Sequence, residues 1–109
     1  MSTDQLNAAL YDKMYEEQER YRDWLLGLPT AEALDHAYEY VMREDILICF
    51  EYHDLNGRQA AALLRSPTPL ADIFKDFEKR ETDHMENIRD TIESRANNAI
   101  KAQSDKNGR

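Results

Sequence analysis

The sequence predicts an all-α fold, a small bundle of three long helices plus one short helix in which the last helix is the longest. Three observations predict it. Only three glycines and three prolines interrupt 109 residues, against average usage of about 7% and 5%, so the chain has few places to turn. Apolar residues recur at three- and four-residue steps over long stretches, which is the spacing of one helix face. No apolar run exceeds five residues, and the most strand-like of them, Ile46 to Phe50, has flanks that continue the helical pattern without Gly or Pro.

The first helix opens on Ser2-x-x-Gln5, a capping-box pattern, and its inward face reads Leu6, Leu10, Met14, Tyr21, Trp24, Leu25 and Leu28. Gly27 suits a left-handed C-terminal position and Pro29 prevents continuation, so the helix ends near Leu26. Thr30 caps the second helix, whose expected buried face is Leu34, Ala37, Tyr38, Val41, Ile48, Cys49 and Tyr52. Met42, Ile46, Leu47 and Phe50 make its second half apolar nearly all round, which places that half at the centre of the core. Asn56-x-x-Gln59 repeats the capping box, with Leu55 as a hydrophobic staple, and opens a short helix through Ala60, Leu63 and Leu64. Ser66-Pro67-Thr68-Pro69 ends it, because the residue before a proline is pushed out of the helical region.

Thr68 as cap, with Pro69 at the first helical position, starts the last helix. Its inward stripe is Leu70, Ile73, Phe74, Phe77, His84, Met85, Ile88, Ile92, Ala96 and Ala99. Carried to about Gln103 it is roughly 50 Å long against roughly 36 Å for the first helix, so its end is expected to overhang the body. Residues 1–103 read as a single helical domain. Residues 104–109 contain no apolar side chain and read as a disordered tail.

Tyr21-Arg-Asp-Trp-Leu25, His36-Ala-Tyr-Glu-Tyr40, Arg43-Glu-Asp-Ile46 and Ser66-Pro-Thr-Pro-Leu-Ala-Asp72, in that order, resemble a family of uncharacterised small acidic helical proteins carried on bacterial conjugative and other mobile genetic elements. The resemblance runs from about Leu6 to Ala96. It implies an accessory gene of a mobile element and carries over no catalytic or binding residue. Small acidic proteins of such elements are often anti-defence factors, anti-CRISPR proteins among them.

The charge balance narrows the partners. Asp and Glu number 22 against 14 Lys and Arg, a net charge of −8 that repels phosphate backbones; direct nucleic-acid binding is excluded as a general activity. Residues 1–65 hold 13 acidic and 6 basic side chains, and the remainder 9 and 8, so the acidic surface belongs to the first two helices. No apolar run approaches the roughly 20 residues of a membrane span, and Met1-Ser2-Thr3-Asp4 lacks the basic start and apolar stretch of a signal peptide. The single Cys49 cannot form an internal disulfide and reads as a small core residue of a reduced, cytoplasmic protein.

Asp12, Glu16, Glu19 and Asp23 form one stripe opposite the apolar face of the first helix, with Glu32, Asp35 and Glu39 along an outer edge of the second. Side chains three and four apart are about 5 to 6 Å from one another, which approximates the phosphate spacing of a nucleic-acid strand. This stripe is the candidate partner-binding site, for a protein whose basic surface is meant for DNA or RNA; the alternative is an ordinary solvated helix face. Tyr11, Tyr15 and Tyr40 lie off the core stripes, either at an interface or packed on a neighbouring helix.

Four ionisable residues fall on apolar faces: Glu17, Asp45, Glu81 and His84. Glu81-x-x-His84 is the Glu-x-x-His step of carboxylate-bridged metal bundles, which use two such steps and two further glutamates. A metal-binding helical protein is therefore one alternative, and buried ion pairs with Arg43, Arg80 or Arg95 are the plainer one. His36, at the edge of its face, reads as a solvated histidine. No phosphate loop, strained Ser turn or Cys-x-x-Cys pair occurs, so neither an enzyme nor a cofactor is expected. Ile88, Ile92, Ala96, Ala99 and Ile100 on the overhang are expected to self-associate into a homodimer or to dock a partner, which leaves an oligomerising structural component as a third reading.

Overall fold

The computed structural model describes residues 1–80 and 82–107, which are helical apart from short connections, with no strand among the described residues. Six helices follow one another: α1 Thr3–Leu26, α2 Thr30–Asp35, α3 Ala37–Tyr52, α4 Gly57–Leu64, α5 Pro69–Arg80 and α6 Thr82–Asn107. They fall into two compact units, Met1–Asp76 and Phe77–Arg109, with the boundary inside α5.

Among the described residues six helices stand where four were expected, and one of the added boundaries is a break inside the second long helix. The second breaks at His36, whose φ of −107° and ψ of 1° lie in the bridge region that closes one helix and opens the next. The His36 ring packs edge-on against Trp24 of α1, with centroids 4.9 Å apart, so this histidine is half-buried at a corner rather than solvated. Thr30 is the first residue of α2, not its cap; Pro29 holds the cap position without a side-chain bond. The expected last helix is described as α5 and α6, on either side of Glu81, which lies outside the described residues. α6 is the longest, but its 26 residues exceed α1 by only two. It runs to Asn107, past Gln103, so residues 104–107 are helical where a disordered tail was expected.

The two capping boxes hold. Ser2 Oγ accepts the Gln5 N–H at 3.1 Å while Gln5 Oε1 accepts the Ser2 N–H at 2.8 Å. Asn56 and Gln59 exchange the same pair at 2.9 and 3.1 Å. Gly27 differs from expectation: it takes φ −86°, and its N–H closes a tight turn on Trp24 O at 3.2 Å. Termination of α1 therefore falls to Pro29, which has no N–H to donate.

In the first unit α1 is the spine, packed against α3 and α4, with α2 on α3. Leu10 and Met14 of α1, Leu47 of α3, Ala60 of α4 and Leu70 of α5 are buried together, ringed by half-buried Leu6, Ile46, Phe50, Leu63 and Ile73. The face of α3 turned inward is not the expected one. Leu34 of α2 and Ala37, Tyr38, Val41, Ile48, Cys49 and Tyr52 of α3 are exposed, and Glu39, Arg43, Leu47, Ile46 and Phe50 turn toward α1. With apolar residues on both sides of α3, the choice is made by Arg43, which finds its partners on the inner side. Cys49 is accordingly a surface thiol, not a core residue.

In the second unit none of the α6 side chains described, residues 83–105, is buried. Met85, Ile88, Ile92 and Ile100, expected to face inward or to overhang, are 69, 41, 63 and 64% exposed.

Candidate functional site

One face of α1 interleaves polar and apolar residues at helical spacing: Asn7, Leu10, Met14, Glu17 and Tyr21, with Gln18 beside them. The polar members complete the ends of other elements. Asn7 Nδ2 donates to Leu55 O at 2.8 Å and its Oδ1 accepts the Leu55 N–H at 3.0 Å, which pins the connection before α4. Lys13 donates to Leu64 O at 2.8 Å, at the negative end of α4. Gln18 Nε2 reaches Tyr40 O at 3.1 Å and Glu44 Oε1 at 3.0 Å.

Glu17 is the centre of this set. It is 6% exposed, and its two oxygens accept the N–H groups of Leu70 at 2.8 Å and Ala71 at 2.9 Å. These are the second and third residues of α5, whose N–H groups have no acceptor within the helix; Pro69 before them has no N–H at all. The carboxylate thus does from another helix what a cap residue does locally, at the positive end of the α5 dipole. Arg43 adds charge balance, with Nη1 3.8 Å from Glu17 and Nη2 2.6 Å from Glu39. Its guanidinium lies over the Tyr21 ring, 4.0 Å from the centroid. Burial pushes the Tyr21 phenol above its ordinary pKa.

Of the four residues of the metal alternative, the structure describes three. Both oxygens of Glu17 are engaged, and Asp45 is exposed on α3 instead of facing the core. His84 belongs to the second unit and is exposed, and Glu81 lies outside the described residues. Among the described residues no three His, Cys, Asp or Glu side chains converge as a metal ion requires. The buried charges of Glu17 and Arg43 hold helix ends together.

Asp12, Glu16, Glu19 and Asp23 are all exposed on α1, and none lies within 4 Å of a basic group among the described residues. Glu32 and Asp35 are exposed on α2. Glu39 leaves the row, because its carboxylate is held by Arg43. Asp12 also lines an open groove of about 510 Å³ with Asp4, Glu51 and Asp54 around Tyr11. Tyr11 is half-buried, stacked between Tyr15 at 6.3 Å and Phe50 at 6.5 Å. Its hydroxyl donates to Glu51 at 2.7 Å, and that bond holds its pKa above the ordinary value. Of the three tyrosines singled out, Tyr15 is exposed, and Tyr11 and Tyr40 are half-buried. A second groove, of about 350 Å³ and almost wholly apolar, lies between the end of α1 and α2 and α3, lined by Leu25, Leu26, Leu34 and Val41.

Residues 6–100 match the family described as Protein of unknown function (DUF3848). The chain belongs to this family. The match covers the four segments on which the resemblance rests, and it includes the whole α1 face that joins the helices of the first unit. No curated protein and no solved structure matches the chain. For this DUF3848 chain the geometry itself is therefore what bears on function. Asn7 and Gln18 are the residues that spacing alone could have found and composition hid: they share the 3- and 4-step stripe of Leu10 and Met14, but polar residues are discounted on an apolar face.

Proposed function

We propose that the protein is a non-enzymatic binding protein whose acidic row on α1 occupies the basic, nucleic-acid-binding groove of another protein and so inhibits it. In its sharper form it is an accessory product of a mobile genetic element, and the groove belongs to a host defence nuclease of the CRISPR kind. The observation that carries the reading is that Asp12, Glu16, Glu19 and Asp23 stand in one row, exposed and without a basic partner among the described residues. Glu17 does not offer the same, because both its oxygens are engaged inside the fold. An unpaired row at helical spacing presents charge about every 5 to 6 Å, and such complementarity governs encounter and partner choice.

The test is competition for a purified RNA-guided nuclease against its DNA substrate. The wild-type protein should displace DNA, and the variant carrying Asp12→Lys, Glu16→Lys, Glu19→Lys and Asp23→Lys should not. All four positions are exposed, so circular dichroism of the variant should match wild type. Raising salt from about 0.1 M to about 1 M shortens the screening length from roughly 10 to 3 Å and should weaken the complex. Inhibition that survives both the charge reversal and the salt overturns the reading.

A further inference from the structure

The apolar groove at the end of α1 is a surface that the acidic row does not explain. Leu25 and Leu26 of α1, Leu34 of α2 and Val41 of α3 are among its walls. Leu26, Leu34 and Val41 are 69, 69 and 50% exposed, and Ile48, two turns further along α3, is 51% exposed. Apolar side chains gathered on a surface in this way mark a docking place.

The charges around the groove say what docks. α1 and α3 lie side by side and antiparallel: Trp24 meets His36, Gln18 meets Tyr40 and Glu44, and Tyr11 meets Glu51. On the wheel of α1, Ala8, Tyr11, Arg22 and Leu26 fall within about 60° of one another, so the apolar groove and the groove around Tyr11 open on the same side of this pair. Tyr11 and Leu25, one from each groove, are roughly 21 Å apart along the helix. The Tyr11 groove is lined by Asp4, Asp12, Glu51 and Asp54. Outside the apolar groove, Glu19 and Asp23 follow Leu26 on the outer flank of α1, and Asp45 follows Val41 on that of α3; all three are exposed. Arg22 is the one basic side chain lining either groove, and it interacts with the Tyr40 hydroxyl beside Glu44. The face is therefore apolar at one end, acidic at the other and acidic along both rims. A segment that fits it has apolar residues at one end and cations elsewhere. No strand edge among the described residues is there to pair with an extended segment, whereas a helix satisfies its own backbone and offers anchors at three- and four-residue steps.

We propose that this face of the α1 and α3 pair binds an amphipathic, cationic helix of another protein, with its apolar residues in the groove of Leu26, Leu34 and Val41 and its basic residues over the groove around Tyr11. The proposal does not rest on nucleic-acid mimicry by the acidic row, and its test involves no nuclease. The probe is a labelled synthetic helical peptide of about 20 residues, roughly 30 Å long, with leucines on one face of one half and lysines along the other. Fluorescence anisotropy with the full chain should give a dissociation constant of about 50 µM or lower. A peptide of the same composition with its leucines spread around the helix should bind at least about 10-fold more weakly. Leu34→Gln with Val41→Gln, both at exposed positions, should leave the circular dichroism unchanged and raise the dissociation constant about 10-fold or more. Leu26→Gln probes the α1 wall separately and should act in the same direction. Asp45→Lys with Asp54→Lys leaves the apolar groove intact and should weaken binding about 5-fold or more at low salt. Absence of binding at about 500 µM peptide, equal binding of the rearranged peptide, or affinity unchanged by the groove variants or by the charge pair overturns the proposal.

Discussion

Glu17 accepts a backbone N–H on each oxygen and stands 3.8 Å from Arg43, so a carboxylate in the core is compensated on three sides. Removing it leaves two buried helix-start N–H groups without their acceptor and Arg43 without one of its two carboxylate neighbours, while Glu39 retains most of the arginine's charge balance. Glu17→Ala is therefore expected to cost about 2 to 3 kcal/mol, which lowers the melting temperature by roughly 10 °C or more; urea denaturation with far-UV circular dichroism measures it. Glu17→Gln keeps one good acceptor and should cost less. The spacing of α1 suffices to place Glu17 on the buried face. It does not suffice to name its partners, which sit 53 and 54 positions away and are backbone groups that no side-chain pattern announces. For Asp45 the same inference fails, because it depends on which side of α3 faces inward.

At the scale of the element, α3 separates what a sequence can and cannot decide. Its caps and neighbours are local matters, and the local signals at Ser2 and Asn56 are realised as written. Its inward face is a tertiary matter. Two apolar arcs compete, one holding Val41, Ile48, Cys49 and Tyr52 and the other Ile46, Leu47 and Phe50, and hydrophobicity alone prefers the first because Arg43 lies in the second. The structure chooses the second, where Arg43 reaches Glu39 and Tyr21 of its surroundings and its stem covers apolar surface. Leu47 is 5% and Ile48 51% exposed. Leu47→Ala should thus cost about 2 to 4 kcal/mol and Ile48→Ala less than about 1 kcal/mol, a contrast that reverses if the expected face were the buried one. The division of the second long helix at His36 was illegible for a related reason: no Gly or Pro marks it, and the corner is stabilised by the Trp24 ring of another helix.

Over the whole molecule the helical class, scarce turns and uneven charge were legible, because they are sums over many residues that no single contact overturns. The division into a packed first unit and a second unit in which residues 83–105 of α6 are all exposed was not, since the stripe from Leu70 to Ala99 reads as one continuous inward face. The capping of α5 by Glu17 bears on the motions of the first unit. Amides at the start of a helix ordinarily exchange with solvent by local fraying. Here those of Leu70 and Ala71 are released only when α1 and α5 part, which ties the two ends of the first unit into one opening event. Hydrogen exchange should find these two amides as slow as those around Leu10 and Met14, with the α6 amides fast by comparison. In Glu17→Ala, the protection at residues 70 and 71 should vanish first, so that the start of α5 becomes a separate, earlier step of unfolding.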